Sequence, residues 1–334
     1  MNDIISMIKA EVASLGFSFA GFAKAKQPPH FRNYEIWLAK NHHGEMHYLA
    51  EPYVKHAREN PLILLEQAKS VIVFGLFYSP SRQKLFNKLQ QKTTVGLIAA
   101  YAQYNDYHKI LKDNATLLMS NIKKKIGRDV KYKIFVDSGT LMEKDFSYMA
   151  GLGWIGRNSL LITPDYGSFC FIGCILTDLE LPTQEPLTRD LCGDCMKCIQ
   201  ACPTQCIQTN HSIDARKCIA YLTIEHKGII PREYRALIGN RIFGCDICQN
   251  VCPLNANKEP LSSSTPQGFN RMIAGEVDLV KEIQLNPKKY QKKYEKTPII
   301  RVTYENYRRN LIITMGNSRN SRCIEPLKII LIWK

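Results

Sequence analysis

Twelve cysteines stand in the 334 residues, and the spacing of eight of them is the strongest chemical signal in the chain. In Cys192-x2-Cys195-x2-Cys198-x3-Cys202-Pro203, three closely spaced thiolates can wrap one [4Fe-4S] cubane while the fourth reaches a second cluster. A second run, Cys245-x2-Cys248-x3-Cys252-Pro253, lacks its first cysteine, because Ile242 holds that place. Cys218 can supply the missing thiolate. The ligands then divide as Cys192, Cys195, Cys198 and Cys252 for one cluster and Cys202, Cys218, Cys245 and Cys248 for the other. Zinc also uses C-x-x-C pairs, but seldom a three-cysteine run or the x3-Cys-Pro ending. Cys170, Cys174, Cys206 and Cys323 fall outside the pattern and are expected to be small buried hydrophobes. Two such clusters move single electrons without saying what is reduced at the end of the wire.

The segments that must position these groups differ in character along the chain. Up to about Pro182, helical stretches alternate with short β-rich runs: SVIVFGLFY from Ser70, KYKIFVD from Lys131, NSLLIT from Asn158 and FCFIGCIL from Phe169. This predicts an α/β domain over residues 1–182. In residues 183–260 the continuous apolar pattern gives way to clustered cysteines and two Cys-Pro pairs, as expected where metal clusters replace much of a hydrophobic core. That stretch is predicted to be a ferredoxin-like domain holding both clusters. Residues 261–334 open on a Ser-Thr-Pro loop, SSSTPQG, and continue through basic helical stretches, including Tyr304 to Met315, to the apolar end IILIWK. They are predicted to form a short α-helical C-terminal region.

A hydrophobic content of 45% with 22% charged residues is an ordinary globular balance. The opening MNDIISMIKAEVASLGF has helical spacing and lacks the basic head, apolar run and cleavage site of a secretory signal, so a cytoplasmic location is expected. Crowded C-x-x-C groups without an export signal favour metal ligation over disulfides. The longest apolar runs, such as Val71 to Phe77, fall short of the ~18 residues that a membrane helix needs, so no membrane partner is expected. Forty-five Lys and Arg against thirty Asp and Glu give a formal charge of +15, dense in Lys123 to Arg128 and Lys288 to Arg309. That balance suits a polyanion partner or serves solubility alone.

The stretch VDSGTLMEKDFSYMAGLGWIGRNSLLITPDYGSFCFIGCILTD, Val136 to Asp178, resembles the signature block of the epoxyqueuosine reductases. The cysteine module, with ARKCIAYLTIEHKG and RIFGCDICQNVCPLN, is similar to the same family. The likeness continues upstream through HARENPLILLEQAKSVIVFGLFY and downstream through TPIIRVTYENYRRNLIITMGNS. It implies a cobalamin in the N-terminal domain and two [4Fe-4S] clusters feeding it electrons from an external donor. It also implies, as substrate, a tRNA bearing epoxyqueuosine in its anticodon loop. An acidic proton donor is implied at Asp137 and a cobalamin-contacting arginine at Arg58, with further cofactor contacts at Asn158, Leu161, Ile172, Cys245, Asp246, Ile247 and Cys248. The chain departs from the family in AYAQYNDYH, where Gln103 and Tyr104 replace the usual Arg-Gly pair, and its C-terminal region is short. A monomer is expected.

Asp137 follows the apolar run KYKIFV and precedes Ser138-Gly139, which puts it where a strand ends at a turn. There it serves chemistry or merely caps the turn. Removing an epoxide oxygen to leave an alkene takes two electrons and two protons, so a carboxylic acid must protonate the departing oxygen. For that task Asp137 is expected to hold its proton near neutral pH through burial. Asp106-Tyr107-His108 matches part of a D-x-H-x-x-G motif of some cobalamin enzymes, but Leu111 stands at the glycine, which favours a structural His108. GLGWIGRNS lacks the order of a nucleotide loop and suggests close packing against the cofactor, with Asn158 a polar contact. Interleaved aromatic and basic residues in NPKKYQKKYEKTPIIRVTYENYRRN suit phosphate contacts with bases stacked alongside, or a solvated basic helix face. Two other functions fit the cysteines: a reductive dehalogenase-like reductase of a small substrate, and a non-catalytic ferredoxin-type electron carrier.

Overall fold

The computed structural model of the chain describes residues 2–78, 94–137, 139–186, 190–256, 258 and 265–332. Ser138, the serines of the 262–264 stretch and the last two residues lie outside them. The strands run β1 (Phe19–Lys24), β2 (Ser70–Phe77), β3 (Val95–Ile98), β4 (Tyr132–Phe135), β5 (Trp154–Ile155), β6 (Leu161–Ile162), β7 (Cys170–Thr177), β8 (Arg241–Phe243) and β9 (Glu276–Asp278). The main sheet has the order β1-β2-β7-β4, and each of its pairings is antiparallel. Asp137 therefore does not sit at the carboxyl end of a parallel sheet, where ligands of parallel α/β folds bind. Asp137 follows β4, at the edge of an antiparallel sheet.

β2 lies inside this sheet, and all eight of its residues are buried. Its side chains alternate faces, as the pleat requires. Ile72, Phe74 and Leu76 join a core with Ile8 and Val12 of the helix Asn2–Ser14 and Leu111 and Leu118 of the helix Tyr107–Ile126. Val71 and Val73 face the opposite way, onto Leu141, Phe146 and Met149 around the helix Glu143–Met149. The result is a sheet held between two helical layers.

A second sheet, β8-β3-β9, ties the three predicted stretches together: β3 from the first runs parallel to β8 from the second and antiparallel to β9 from the third. One core follows the sheet across the same boundaries, with Ile98 and Ala102, then Ile242 and Phe243, then Leu279, Tyr294, Tyr307 and Leu311. Ile242, in the place of a cysteine, is fully buried on β8. That position belongs to the core, so the second cysteine run must find its fourth thiolate elsewhere.

The basic C-terminal stretch forms the helices Pro287–Tyr294 and Tyr304–Ser318, and of its tyrosines Tyr290, Tyr294 and Tyr307 are buried while Tyr304 is half-buried. Tyr290 and Tyr294 lie four residues apart on one helix face. With Tyr307 they are buried, and the hydroxyls of Tyr294 and Tyr307 meet at 2.9 Å beside the Glu282 carboxylate. Stacking of these rings against bases is thereby overturned: the apolar stripe of each helix is spent on the core, while Lys288, Lys289 and Lys292 stay exposed. The other basic cluster is largely engaged as well. Lys123 and Lys125 close the last turn of their helix, where cations complement its dipole, and pair with Asp129 at 2.7 Å and Glu11 at 2.5 Å. Among the described residues no helix is long and apolar enough to cross a membrane.

Asn310, fully buried in the helix Tyr304–Ser318, fastens that helix to the cysteine-bearing stretch by donating to the carbonyls of Thr223 at 2.8 Å and Ile242 at 3.0 Å. Asn310→Ala removes the donor from two buried acceptors and is expected to cost about 1–3 kcal/mol, read as a lowered midpoint in urea unfolding.

Candidate active site and metal centres

Asp137 is held by two residues from one helix start, Tyr107 and His108, with Asp106 behind them. Asp106 caps the helix Tyr107–Ile126, its carboxylate accepting from the His108 backbone N–H at 3.1 Å and lying 2.7 Å from His108 Nδ1. The other ring nitrogen, Nε2, stands 3.2 Å from Asp137 Oδ2, and the Tyr107 hydroxyl donates to that same oxygen. Tyr107 is fixed in turn by stacking on Phe171 of β7, with ring centroids 4.2 Å apart. Arg301 approaches the far side of Asp106 at 3.6 Å. Asp137 itself sits at φ +55°, in the left-handed region that aspartate tolerates better than most residues, and its side chain remains 63% exposed.

Protonation in this array differs from the sequence expectation. The protein around Asp137 pushes its carboxyl up, but hydrogen bonds from His108 and Tyr107, with the positive charges of His108 and Arg301, outweigh that and leave it below its ordinary value. His108 moves the other way. Burial pushes it down, and its bonds to Asp106 and Asp137 more than restore it, so its pKa ends above the usual imidazole value. The proton of the pair therefore rests on His108, next to Asp137, and His108 is part of the site rather than packing alone. An acid-aromatic-histidine triplet opening a helix is the sequence signal that carried this.

Asp137 opens into a cleft of about 620 Å³ that is also lined by Tyr34, Arg58, Glu143, Tyr148 and Trp154. Arg58 donates from Nη2 to the Gly139 carbonyl at 3.3 Å and lies 4.9 Å over the Tyr34 ring. Its Nε and the Oε1 of Glu143 are buried without a hydrogen-bond partner, a donor and an acceptor left open toward a polar ligand. Burial pushes the Glu143 carboxyl up to about 8. Of the residues implied as cofactor contacts, Arg58 and Asp137 line this cleft, whereas Asn158, Leu161, Ile172, Cys245, Asp246, Ile247 and Cys248 are not among its lining. Asn158 is buried with its Nδ2 unpartnered, Leu161 and Ile172 lie on β6 and β7, and Ile247 is buried beside Asp246. The Asp246 carboxylate accepts from the Ala100 backbone N–H at 2.7 Å, and burial pushes it up to about 6.

The cysteines gather as two neighbouring groups. Cys192, Cys195, Cys198 and Cys252 lie within electrostatic reach of one another; Cys218 is within reach of Cys202, Cys245 and Cys248, and Cys248 also of Cys198, so the groups adjoin. All are free thiols. Among the described residues no three His, Cys, Asp or Glu side chains converge as ligands of a single ion. A cubane asks for a different arrangement, four thiolates each on its own iron, and two separate sets of four thiols fit it. The segment GLGWIGRNS packs against the first group: Trp154 Nε1 lies 3.5 Å from Cys192 Sγ, and Arg157 donates to the Gly193 carbonyl at 2.6 Å. Its glycines are steric necessities, since a Cβ on Gly153 would stand 2.2 Å from the Ile162 carbonyl oxygen. Trp154, which borders both the cleft and Cys192, was not singled out by its sequence context.

Residues 191–255 match the family model of a 4Fe-4S double cluster binding domain, and residues 58–138 match that of epoxyqueuosine reductase QueG, DUF1730. The epoxyqueuosine reductase of Vibrio cholerae is 36% identical over 98% of this chain and 87% of its own length, and that of Leadbetterella byssophila is 43% identical over 79% and 83%. The chain belongs to the epoxyqueuosine reductase family. It is accordingly an oxidoreductase. Among solved structures, epoxyqueuosine reductase from Streptococcus thermophilus aligns with a TM-score of 0.86 at 28% identity, covering 100% of this chain and 86% of that one. An epoxyqueuosine reductase in complex with an epoxyqueuosine-modified tRNA-Tyr stem loop aligns equally well, at 27% identity over 99% and 85%. The Bacillus subtilis epoxyqueuosine reductase, captured with its catalytic aspartate loop swung out of the active site, has a TM-score of 0.84 at 26% identity over 99% and 86%.

The paired shifts of Asp137 and His108 define a pH window. Asp137 contributes stability that is present above its ordinary value of 3.8 and lost as pH falls through its lowered one. His108 contributes stability that is full below 6.5 and lost as pH rises through its raised value. The difference in thermal midpoint between the parent and His108→Gln is therefore expected to be largest between pH ~4 and ~6.5 and to shrink at both extremes, as followed by melting across a pH series. For the metal centres, Cys218→Ala is expected to lose on the order of four irons from a parent content of about eight, with the loss confined to one cluster by electron paramagnetic resonance.

Proposed function

We propose that this chain reduces epoxyqueuosine to queuosine in the anticodon loop of tRNA, the last step of queuosine formation, with cobalamin in the Asp137 cleft and two [4Fe-4S] clusters on the eight cysteines. The observation that carries the reading is Asp137, presented to the cleft and backed by His108, in a chain of this family. A relative seen with a modified tRNA stem loop and another named for a catalytic aspartate loop support it. Identities of 34–43% over most of the chain favour it over a small-substrate reductase or a plain electron carrier.

When bound, cobalamin supplies a strongly reducing, nucleophilic cobalt, and the clusters supply electrons to it singly. Arg58 and Glu143, which line the cleft with an unpartnered donor and acceptor, would hold polar groups of the cofactor. The chain's own chemistry is proton delivery. Reduction of the epoxide consumes two electrons and two protons, both carbon-oxygen bonds break, the carbons are left as an alkene and the oxygen leaves as water. Asp137 is the group placed to hand protons to that oxygen, and His108 is the reservoir that reloads it through the 3.2 Å contact. Asp106 keeps the imidazole oriented and favours its charged form, while Tyr107 fixes the carboxylate. One carboxyl can thus serve both protonations.

Asp137→Asn keeps the shape and a hydrogen-bonding group but cannot transfer a proton, so turnover of epoxyqueuosine tRNA is expected to fall by a factor on the order of a hundred or more. Iron content, cobalamin binding and tRNA affinity are expected to be retained. Single-turnover assays on the anaerobically reduced, cobalamin-loaded enzyme check it; a parent-like rate would return Asp137 to the role of a turn cap.

A further inference from the structure

Beside the second set of four cysteines stands a fifth. Cys206 is 3% exposed, and its Sγ lies 3.4 Å from Cys202 Sγ, with the Cys218 thiol within electrostatic reach. The Thr204 hydroxyl approaches the Cys202 sulfur as well, at 3.6 Å. The backbone fixes this placement. Gln205 turns the chain at φ +50°, the Cys206 carbonyl accepts from the Asp214 N–H at 2.8 Å, and an antiparallel bridge between Ile207 and Ile213 follows at once. The turn thus holds the Cys206 backbone beside Cys202.

Ligands on separate irons of a cubane stand well apart, so two sulfurs this close cannot both be ligands. Cys202 continues the Cys-x3-Cys-Pro run and has that role, and a four-iron cluster is complete with Cys218, Cys245 and Cys248. Cys206 is left outside the ligand set as a thiol, its hydrogen available to the Cys202 thiolate beside it. We infer that Cys206 donates an S–H hydrogen bond to the cluster-bound sulfur of Cys202, and that it thereby raises the reduction potential of this cluster. The physical cause is charge. An added electron increases the negative charge on the ligand sulfurs, and a donor aimed at them stabilises the reduced form more than the oxidised one, in a buried site where the bond is little screened. Cys206 is a positioning and tuning residue, and the inference rests on the ligand partition proposed above.

Full-length Cys206→Ala, Cys206→Ser and Cys218→Ala, purified anaerobically beside the parent, test it through iron content and redox titrations followed by electron paramagnetic resonance. Cys206→Ala is expected to keep its iron, while at the parent's midpoint the ratio of reduced to oxidised second cluster falls on the order of threefold to tenfold. Tenfold corresponds to ~59 mV for one electron. The first cluster is expected not to move, and Cys206→Ser, whose hydroxyl still donates, to stay near the parent. An unchanged midpoint in Cys206→Ala, or equal shifts in the Ala and Ser variants, would overturn the hydrogen bond while leaving the ligands in place. Loss of one cluster from Cys206→Ala overturns the inference too, and retention of both clusters by Cys218→Ala would show that the partition beneath it is wrong.

Discussion

The carboxylate of Asp106 does two things at once, and the candidate chemistry depends on both. It caps the N-terminus of a 20-residue helix and it orients the imidazole of His108. Because the cap fixes where the helix begins, it also fixes Tyr107 and His108, and through them the otherwise strained Asp137. A residue in the left-handed region persists when its surroundings over-determine it. Here the surroundings are a hydroxyl and an imidazole on one carboxylate oxygen. The same contacts that hold the backbone lower the aspartate's pKa and raise the histidine's, so position and proton storage come from one arrangement.

Electron delivery imposes a second constraint, that the cysteine-bearing stretch lie against the acid site and not merely follow it in the chain. Strand β3 meets it by pairing with β8 on one side and β9 on the other. Asp246, between two of the cysteines, reaches across to the backbone of Ala100, and Trp154 stands between the cleft and Cys192. Ile242 shows what that sheet demands. Its place in a shared hydrophobic core takes precedence over the cysteine repeat, and the missing thiolate comes from Cys218 in the proposed ligand set.

The basic C-terminal stretch shows how composition misleads when faces are not resolved. Tyr290, Tyr294 and Tyr307 and the lysines between them alternate in sequence, yet on a helix the rings collect on the inner face and the lysines on the outer one. What this stretch leaves exposed for a polyanion includes Lys288, Lys289, Lys292 and Lys296. Glu282, buried among the tyrosine hydroxyls and paired with Lys293 at 2.5 Å, gives those rings a structural partner.

The cysteine spacing, the runs that became β2, β4 and β7, and the first helix were legible in the sequence, because each is a local pattern: a metal-ligand interval, a two-residue alternation or a helical period. The grouping of Asp137 with Asp106, Tyr107 and His108 was not, since 29 residues separate His108 from Asp137 and only the packing of a helix start against the end of β4 closes that gap. Nor was the role of Cys206 visible, because one cysteine outside a ligand interval reads like any small buried residue until a turn sets its sulfur beside another. The antiparallel order of the main sheet and the sheet shared by three stretches are likewise long-range outcomes. Local spacing determined which chemistry the chain can hold; tertiary packing decided which groups face one another, because hydrogen bonds and charge act over a few ångströms of space however many residues lie between.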